Sequence, residues 1–253
     1  LRIVLWFLLM AIWGTLRFDD LLHVRPSSLR LRVDALLGQS WQTKVQRKRR
    51  STVFTCVRAG ISGVDWVAIG YAWFCQVLPW EVGYDGRSDR DFLLFKPVKT
   101  IDGFDWDRST IFGSTTGSTE GTTWLRFLSN MAISARERQA REVGDEEAVA
   151  ACEDLRGRAR VLTAHSCKAF VNNLAVHDPA TRTDTVALTL QGHWKRKGLE
   201  MPVKYTRSRA EVPIQMVSQL TEDLRNGWRP PGSAIEHGED GRPADPASIR
   251  ITA

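Results

Sequence analysis

The sequence predicts a mainly helical α+β domain, a helical bundle with a small antiparallel β-sheet near its N-terminal end. Three observations lead to this expectation. Apolar stretches of helical length recur along the chain from its first residues to Trp228. A cluster of β-type runs is confined to residues 29–57. No internal repeat of fixed period appears, which argues against a solenoid or propeller. At 253 residues the chain can bury one sizeable core, or one core plus a small appendage. Apolar residues make up 43% and charged residues 25%, both ordinary for a soluble globular protein.

Residues 1–16 are apolar on nearly every face, the pattern of a buried core helix. The apolar run from Ile3 to Leu16 has about 14 residues, short of the roughly 20 that a membrane span needs. Arg17-Phe18-Asp19-Asp20 follows directly, where a signal peptide would need a small-residue cleavage site. Residues 18–24 continue helically until Pro26 stops them. Residues 29–33, 36–43 and 52–57 read as strands. Between the last two, Lys44-Val45-Gln46-Arg47-Lys48-Arg49-Arg50 has the length and polarity of a hairpin connection.

Residues 63–82, with Trp66, Trp73, Phe74 and Trp80, read as a core-facing helix. Residues 83–122 are rich in Gly, Asp, Ser and Thr and read as an extended loop region, within which 113–121 resembles a flexible linker or long turn. That glycine-rich run has neither the lysine nor the preceding strand of a phosphate loop. Helices are expected over 122–142, 149–155, 166–176, 183–190 and 212–228. The third is opened by Leu162-Thr163-Ala164-His165, with Thr163 as its cap. Trp41, Trp66, Trp73, Trp106 and Trp124 read as packing residues. The expected domain spans 1–228, with 83–160 as a loop-rich insertion and the polar run 229–253 as a disordered tail. Leucine stands first in place of methionine, so the chain is expected to begin inside a longer reading frame.

Charge is unevenly spread. Residues 1–60 carry eleven Lys/Arg against three Asp/Glu, and residues 161–230 carry ten against six. Between them, 61–130 carry six against nine and 131–160 six against seven. If the fold brings the two basic blocks together, they form a face suited to a polyanion. Cys56, Cys75, Cys152 and Cys167 show no metal-ligand spacing and read as buried or half-buried thiols of a reducing compartment, with no zinc.

Five short segments carry residues with chemistry, in a fixed order. They are Gly14-Thr15-Leu16-Arg17-Phe18-Asp19-Asp20, then Lys44 in the hairpin, then His165-Ser166-Cys167-Lys168, then Gln191-Gly192-His193-Trp194, then Tyr205. This order resembles the catalytic domain of tyrosine recombinases of the phage-integrase type, and most closely those of eukaryotic mobile elements. The family pattern is an arginine after an apolar helix with an acidic residue three on, a lysine in a β-hairpin, an HxxR box, a GH motif and a nucleophilic tyrosine. The resemblance covers roughly residues 5–225. Gaps of 27 residues from Arg17 to Lys44, 28 from His165 to His193 and 12 from His193 to Tyr205 suit it. The 121 residues from Lys44 to His165 exceed the family's usual spacing, and the loop-rich middle accounts for the excess.

The resemblance implies a recombinase-type helical bundle, and catalytic roles for Arg17, Lys44, His165, Lys168, His193 and Tyr205. It implies cleavage and rejoining of duplex DNA through a 3′-phosphotyrosine in a synapsed homo-multimer, with no cofactor and no metal. A further DNA-clamping domain upstream, and an intracellular site of action (nuclear in a eukaryote), are also implied. Arg47, Lys48, Arg49, Arg50, Lys195 and Arg207 are the expected DNA-contacting cations.

The chemistry is coherent on its own terms. Attack on a phosphodiester places extra charge on the phosphate oxygens, and cations aimed at those oxygens stabilise it. Arg17 offers a planar fork that keeps its proton. His165 and His193 can donate hydrogen bonds or relay protons. Tyr205, one of three tyrosines with Tyr71 and Tyr84, stands among Lys204, Arg207 and Arg209. Its phenol, with a reference pKa of about 10, needs such cationic neighbours to attack at neutral pH. One position departs from the family: the second arginine of the HxxR box is Lys168, which keeps the charge but loses the fork.

Each residue also has a simpler reading. Arg17 beside Asp20 reads as a helix-end ion pair, Lys44 as solvated surface, His165 as a helix-start residue and His193 as a half-buried histidine. His23, His177 and His237 lack any motif context. Three alternatives to a recombinase stay open: a degenerate DNA-binding copy, a type IB topoisomerase, and a membrane-associated or interaction protein.

Overall fold

Helix α1 (Arg2–Trp13) is apolar around most of its circumference, and the chain covers it on all but one strip, where Leu5 is exposed and Leu9 and Ile12 are half-buried. Val4, Trp6, Phe7, Leu8, Met10 and Ala11 are each 2% exposed or less. The structure is a computed structural model and describes residues 1–41, 52–58, 60–77, 92–113, 117–192 and 210–230. After Gly14 the chain turns through Thr15, whose φ of 47° lies in the left-handed region, into the short helix α2 (Phe18–Leu22). Asp19 and Asp20 sit in the first turn of α2, where a carboxylate complements the helix dipole.

A 3₁₀ turn (Pro26–Ser28) leads into a three-stranded antiparallel sheet of β1 (Arg30–Leu31), β2 (Ala35–Ser40) and β3 (Thr52–Val57), in that spatial order. The β2–β3 register runs from Ala35 opposite Val57 to Ser40 opposite Thr52. This is the expected small sheet near the N-terminal end. Helix α3 (Trp66–Val77) packs on α1, and Trp6 meets Phe74 with ring centroids 5.3 Å apart. Gly70 makes that approach possible, because a Cβ there would stand 1.9 Å from Trp6 Cδ1.

Two expectations are corrected in the middle of the chain. Residues 83–122 do not form one extended loop region: β4 (Phe95–Thr100) and β5 (Gly103–Ile111) pair antiparallel through a tight turn at Ile101 and Asp102. The ribbon is half-exposed on both faces and carries Pro97, so it has no apolar face to produce alternation. Nor are residues 113–121 a linker throughout, because helix α4 (Ser118–Val143) already begins within them. Gly121 lies in the first turns of α4 because Phe18 packs against it. A Cβ at that position would be 2.4 Å from the Phe18 ring.

Helix α5 (Glu146–Val161) is also longer than the expected 149–155, with Gly157 interrupting its helical pattern in sequence. Its acidic first turn and arginine-bearing last turn match the helix dipole. The distal half of α4 and α5 carry a small core of their own around Ile133, Cys152 and Ala159. Glu137 of α4 ties the two helices together by pairing with Arg156 of α5, and it also pairs with Arg141 in its own helix at 2.7 Å.

Helix α6 (Ala164–His177) begins where expected. Thr163 accepts from the Ser166 N–H, and Ser166 accepts from the Thr163 N–H, a full capping box. Helices α7 (Thr185–Gln191) and α8 (Glu211–Arg225) close the bundle. One contiguous core runs from α1 through α6 and α7 to α8. The overall class is therefore α+β, mostly helical, with two small antiparallel sheets. No helix among the described residues is long and apolar enough to cross a membrane. All four cysteines are free, but Cys75 is exposed, which corrects the expectation that all would be at least half-buried. The expected tail falls almost wholly outside the described residues.

Two substitutions of one kind test this packing. Gly121→Ala should lower stability by about 1–3 kcal/mol, because it overpacks Phe18. Gly157→Ala, in a helix with open space at its Cβ, should raise it by about 0.5–1 kcal/mol. Chemical denaturation of both variants checks the opposite signs.

Candidate functional site

The turn between α1 and α2 places Arg17. Leu16 (0% exposed) and Phe18 (2%) are buried on either side of it, so the arginine emerges half-exposed between two anchors. The turn is held from the far end of the sequence: Thr15 Oγ1 donates to the carbonyl of Gln191, and Gln191 Nε2 donates to the carbonyl of Trp13 at 2.7 Å. Gln191 is the last residue of α7, and Gly192 caps the helix directly before His193 in sequence.

The sheet joins α2 at its other end. Ser40 Oγ donates to the carbonyl of Asp20 at 2.6 Å, the Trp41 N–H donates to His23 O at 3.0 Å, and Val24 bridges Ser40. The Arg25 guanidinium stacks 4.1 Å from the centroid of the Trp41 ring. The end of β2 and Trp41, three residues before Lys44 in sequence, therefore lie beside α2.

Helix α6 approaches from the opposite side. Its start is fixed by α4: the Ala164 N–H donates to Thr122 Oγ1 at 2.9 Å, and Arg126 Nε donates to Leu162 O at 2.8 Å. Cys167, Val171 and Ala175 form its buried stripe, and Trp13 meets Phe170 edge-on at 6.4 Å between ring centroids. His165 is exposed in the first turn; Lys168, three residues on and so on nearly the same face, is half-buried. Burial holds the Lys168 ammonium below the usual lysine range. The nearby charge of Arg17 pushes the same way, and Asp20 opposes it. Asp20 itself is 5% exposed.

The fold thus brings Arg17, Asp20 and Lys168 into one electrostatic neighbourhood, from segments some 150 positions apart in sequence. Among the described residues, no carboxylate lies within ion-pairing distance of Arg17 or Lys168. The helix-end ion pair that was the simpler reading of Arg17 is therefore not formed. Two cations within electrostatic reach of each other, one of them partly desolvated and neither ion-paired among the described residues, suit an incoming anion. Other cations of the N-terminal basic block are already committed: Arg32 pairs with Asp34 at 3.2 Å and Glu211 at 2.7 Å, and Arg58 pairs with Asp65.

Lys44, Arg47, Lys48, Arg49, Arg50, His193, Lys195, Tyr205 and Arg207 lie outside the described residues. The structure also presents three polar side chains that sequence reasoning passed over. Thr15 and Gln191 hold the arginine turn. Asn172, one turn beyond Lys168 and 1% exposed, has no hydrogen-bond partner among the described residues. A glutamine at a core position of α7 was the one readable signal. Cys167, between His165 and Lys168, has its thiol pushed up to about 11 by burial, so it is a packing residue and a poor nucleophile. Among the described residues, no group of three or more His, Cys, Asp or Glu side chains could hold a metal ion. Compared with protein-family models, with curated proteins and with solved structures, the chain matches none of them.

The depressed pKa of Lys168 has a definite consequence for stability. Below its folded-state pKa the lysine is charged in both folded and unfolded chains, and the folded chain bears the cost. As pH rises from there towards the ordinary lysine value, the unfolded chain holds more protons, so stability rises with pH. Lys168→Met is expected to unfold at a higher temperature than the wild type at pH 7, with the gap narrowing as pH approaches 10.5. Thermal unfolding across that range checks it. A gap that widens with pH would contradict the assigned environment.

Proposed function

We propose that this chain cleaves and rejoins duplex DNA as a tyrosine recombinase. The observation that carries the reading is the approach of Arg17 to Lys168. They belong to two motif segments far apart in sequence, and the resemblance assigns both to one phosphate. The attachment of Gln191, directly before Gly192-His193, to the arginine turn supports it, as does the place of the end of β2 beside α2.

In this reading the Tyr205 hydroxyl attacks the scissile phosphorus, forming a 3′-phosphotyrosine and releasing the 5′ oxygen, which takes a proton from Lys44. Arg17 and Lys168 hold the non-bridging oxygens while charge builds on them. His165 and His193 donate hydrogen bonds or move the proton from the phenol. The phosphotyrosine bond retains the energy of the broken link, so the reverse attack by a 5′ hydroxyl rejoins the strand without a nucleotide. Arg47, Lys48, Arg49, Arg50, Lys195 and Arg207 contact the DNA backbone, whose binding is salt-dependent. The acting species is a homo-multimer assembled on DNA.

A second reading rests on Lys168. An ammonium lacks the two-pronged fit of a guanidinium, and its burial beside Arg17 makes its charge harder to keep. A copy that binds DNA through this fold but cleaves slowly, or not at all, has the same features.

Covalent trapping separates the two. The protein is incubated with nicked, partly randomised duplexes, and denaturant-resistant protein–DNA adducts are scored. An adduct that disappears with Tyr205→Phe, and falls by about 100- to 1000-fold in rate with Arg17→Ala, is the expected result. An adduct seen only with Lys168→Arg identifies the disabled copy. No adduct with any variant, together with no salt-sensitive DNA binding, overturns both readings.

A further inference from the structure

We propose that Thr15 and Gln191 are positioning residues for Arg17, holding the α1–α2 turn so that its guanidinium and Lys168 face one phosphate together. The proposal rests on the phosphate-binding role assigned to Arg17 above.

The turn is under strain. Thr15 is β-branched, yet its φ of 47° is one that residues other than glycine rarely adopt. Such a conformation persists only where the surroundings hold it. The turn's own backbone bonds run back into α1: the N–H groups of Gly14 and Leu16 donate to Met10 O and Ala11 O at 2.9 and 3.0 Å. These fix where the helix ends but leave the Trp13 carbonyl and the Thr15 side chain to be bound by something else. Gln191 binds both, accepting the Thr15 hydroxyl proton at its backbone carbonyl and donating its side-chain amide to Trp13 O.

Thr15 is 0% exposed and Gln191 2%, so water does not compete for either bond. Leucine or methionine would fill the volume at position 191, and only a donor of this length can also bind the carbonyl of Trp13. The pair thus ties the backbone two residues before Arg17 to the backbone two residues before His193. Loss of either bond frees Thr15 to leave the left-handed region and turns the peptide that aims the guanidinium. Displacement of a phosphate-orienting group by about 1 Å can cost on the order of 100-fold in rate.

Thr15→Gly is the informative variant. Glycine accepts the positive φ without strain, so the fold is kept, but the hydroxyl is gone. Thr15→Ser keeps the hydroxyl, Gln191→Met keeps the volume without the donor, and Arg17→Ala is the reference. Two readouts are taken: the rate of adduct formation on nicked duplex, measured below each variant's unfolding temperature, and the rise in unfolding temperature produced by inorganic phosphate.

Thr15→Gly and Gln191→Met are expected to lower the adduct rate by about 10- to 100-fold, with Thr15→Ser within about threefold of wild type. Both should also lose the phosphate effect, as Arg17→Ala does. Folded Thr15→Gly with the wild-type rate and phosphate effect overturns the proposal. Wild type that responds to phosphate through Arg17 but forms no adduct removes the strand-cleavage reading, and the phosphate arm then decides the positioning claim. Wild type with neither response overturns both.

Discussion

A helix without a polar face is the constraint on which the rest of this structure depends. Burying most of α1, all but the strip at Leu5, Leu9 and Ile12, requires partners in several directions, and the chain supplies them as α2, α3, α4, α6 and β3. Aromatic contacts fill the closest approaches, with Phe7 lying 5.7 Å from Phe18 and 5.2 Å from Phe112 between ring centroids. Leaving Phe7 or Met10 in water would forgo about 1.5–3 kcal/mol each, so the wrapped arrangement outweighs any in which α1 lies at the surface. The two glycines that face Trp6 and Phe18 show how close the packing is.

The candidate site follows from where that helix stops. Covering α1 with α6 on one side and α2 at its end sets Lys168 near Arg17, although like charges repel and burial penalises the ammonium. Asp20 opposes this in part, without an ion pair to either cation. Here Arg32, Arg58 and Glu137 all have ion partners, whereas Arg17 and Lys168 have none among the described residues. Under the proposed function, a bound phosphate would convert the repulsion into two attractions.

Much of the fold was legible where local pattern and tertiary environment agree. The wholly apolar run of α1 announces its burial. Thr163 announces the start of α6, and the β-type runs of β2 and β3 flank a basic connection whose polarity marks a hairpin. The β4–β5 ribbon was not legible, because a two-stranded element half-exposed on both faces has no alternation to display. The start of α4 was hidden by glycine and serine, which local propensity assigns to a loop and which only the Phe18 ring explains. At the site, Arg17 and Lys168 could be named from motif order, but not their mutual approach, which depends on packing between α2 and α6. Thr15 and Gln191 were illegible for a different reason. Their bonds span 176 and 178 positions, and nothing local to either residue indicates a partner at that distance.

The central claim is that Arg17 and Lys168 act on a single anion, and a double-mutant cycle on duplex affinity measures that most directly. Arg17→Met, Lys168→Met and the double variant would be titrated with nicked duplex at fixed salt. The account predicts that the two losses are coupled, with an interaction energy of about 0.5–3 kcal/mol, because each side chain binds best when the other holds the same phosphate. Losses that simply add, within a few tenths of a kcal/mol, would mean that the two cations serve separate contacts, and would contradict it.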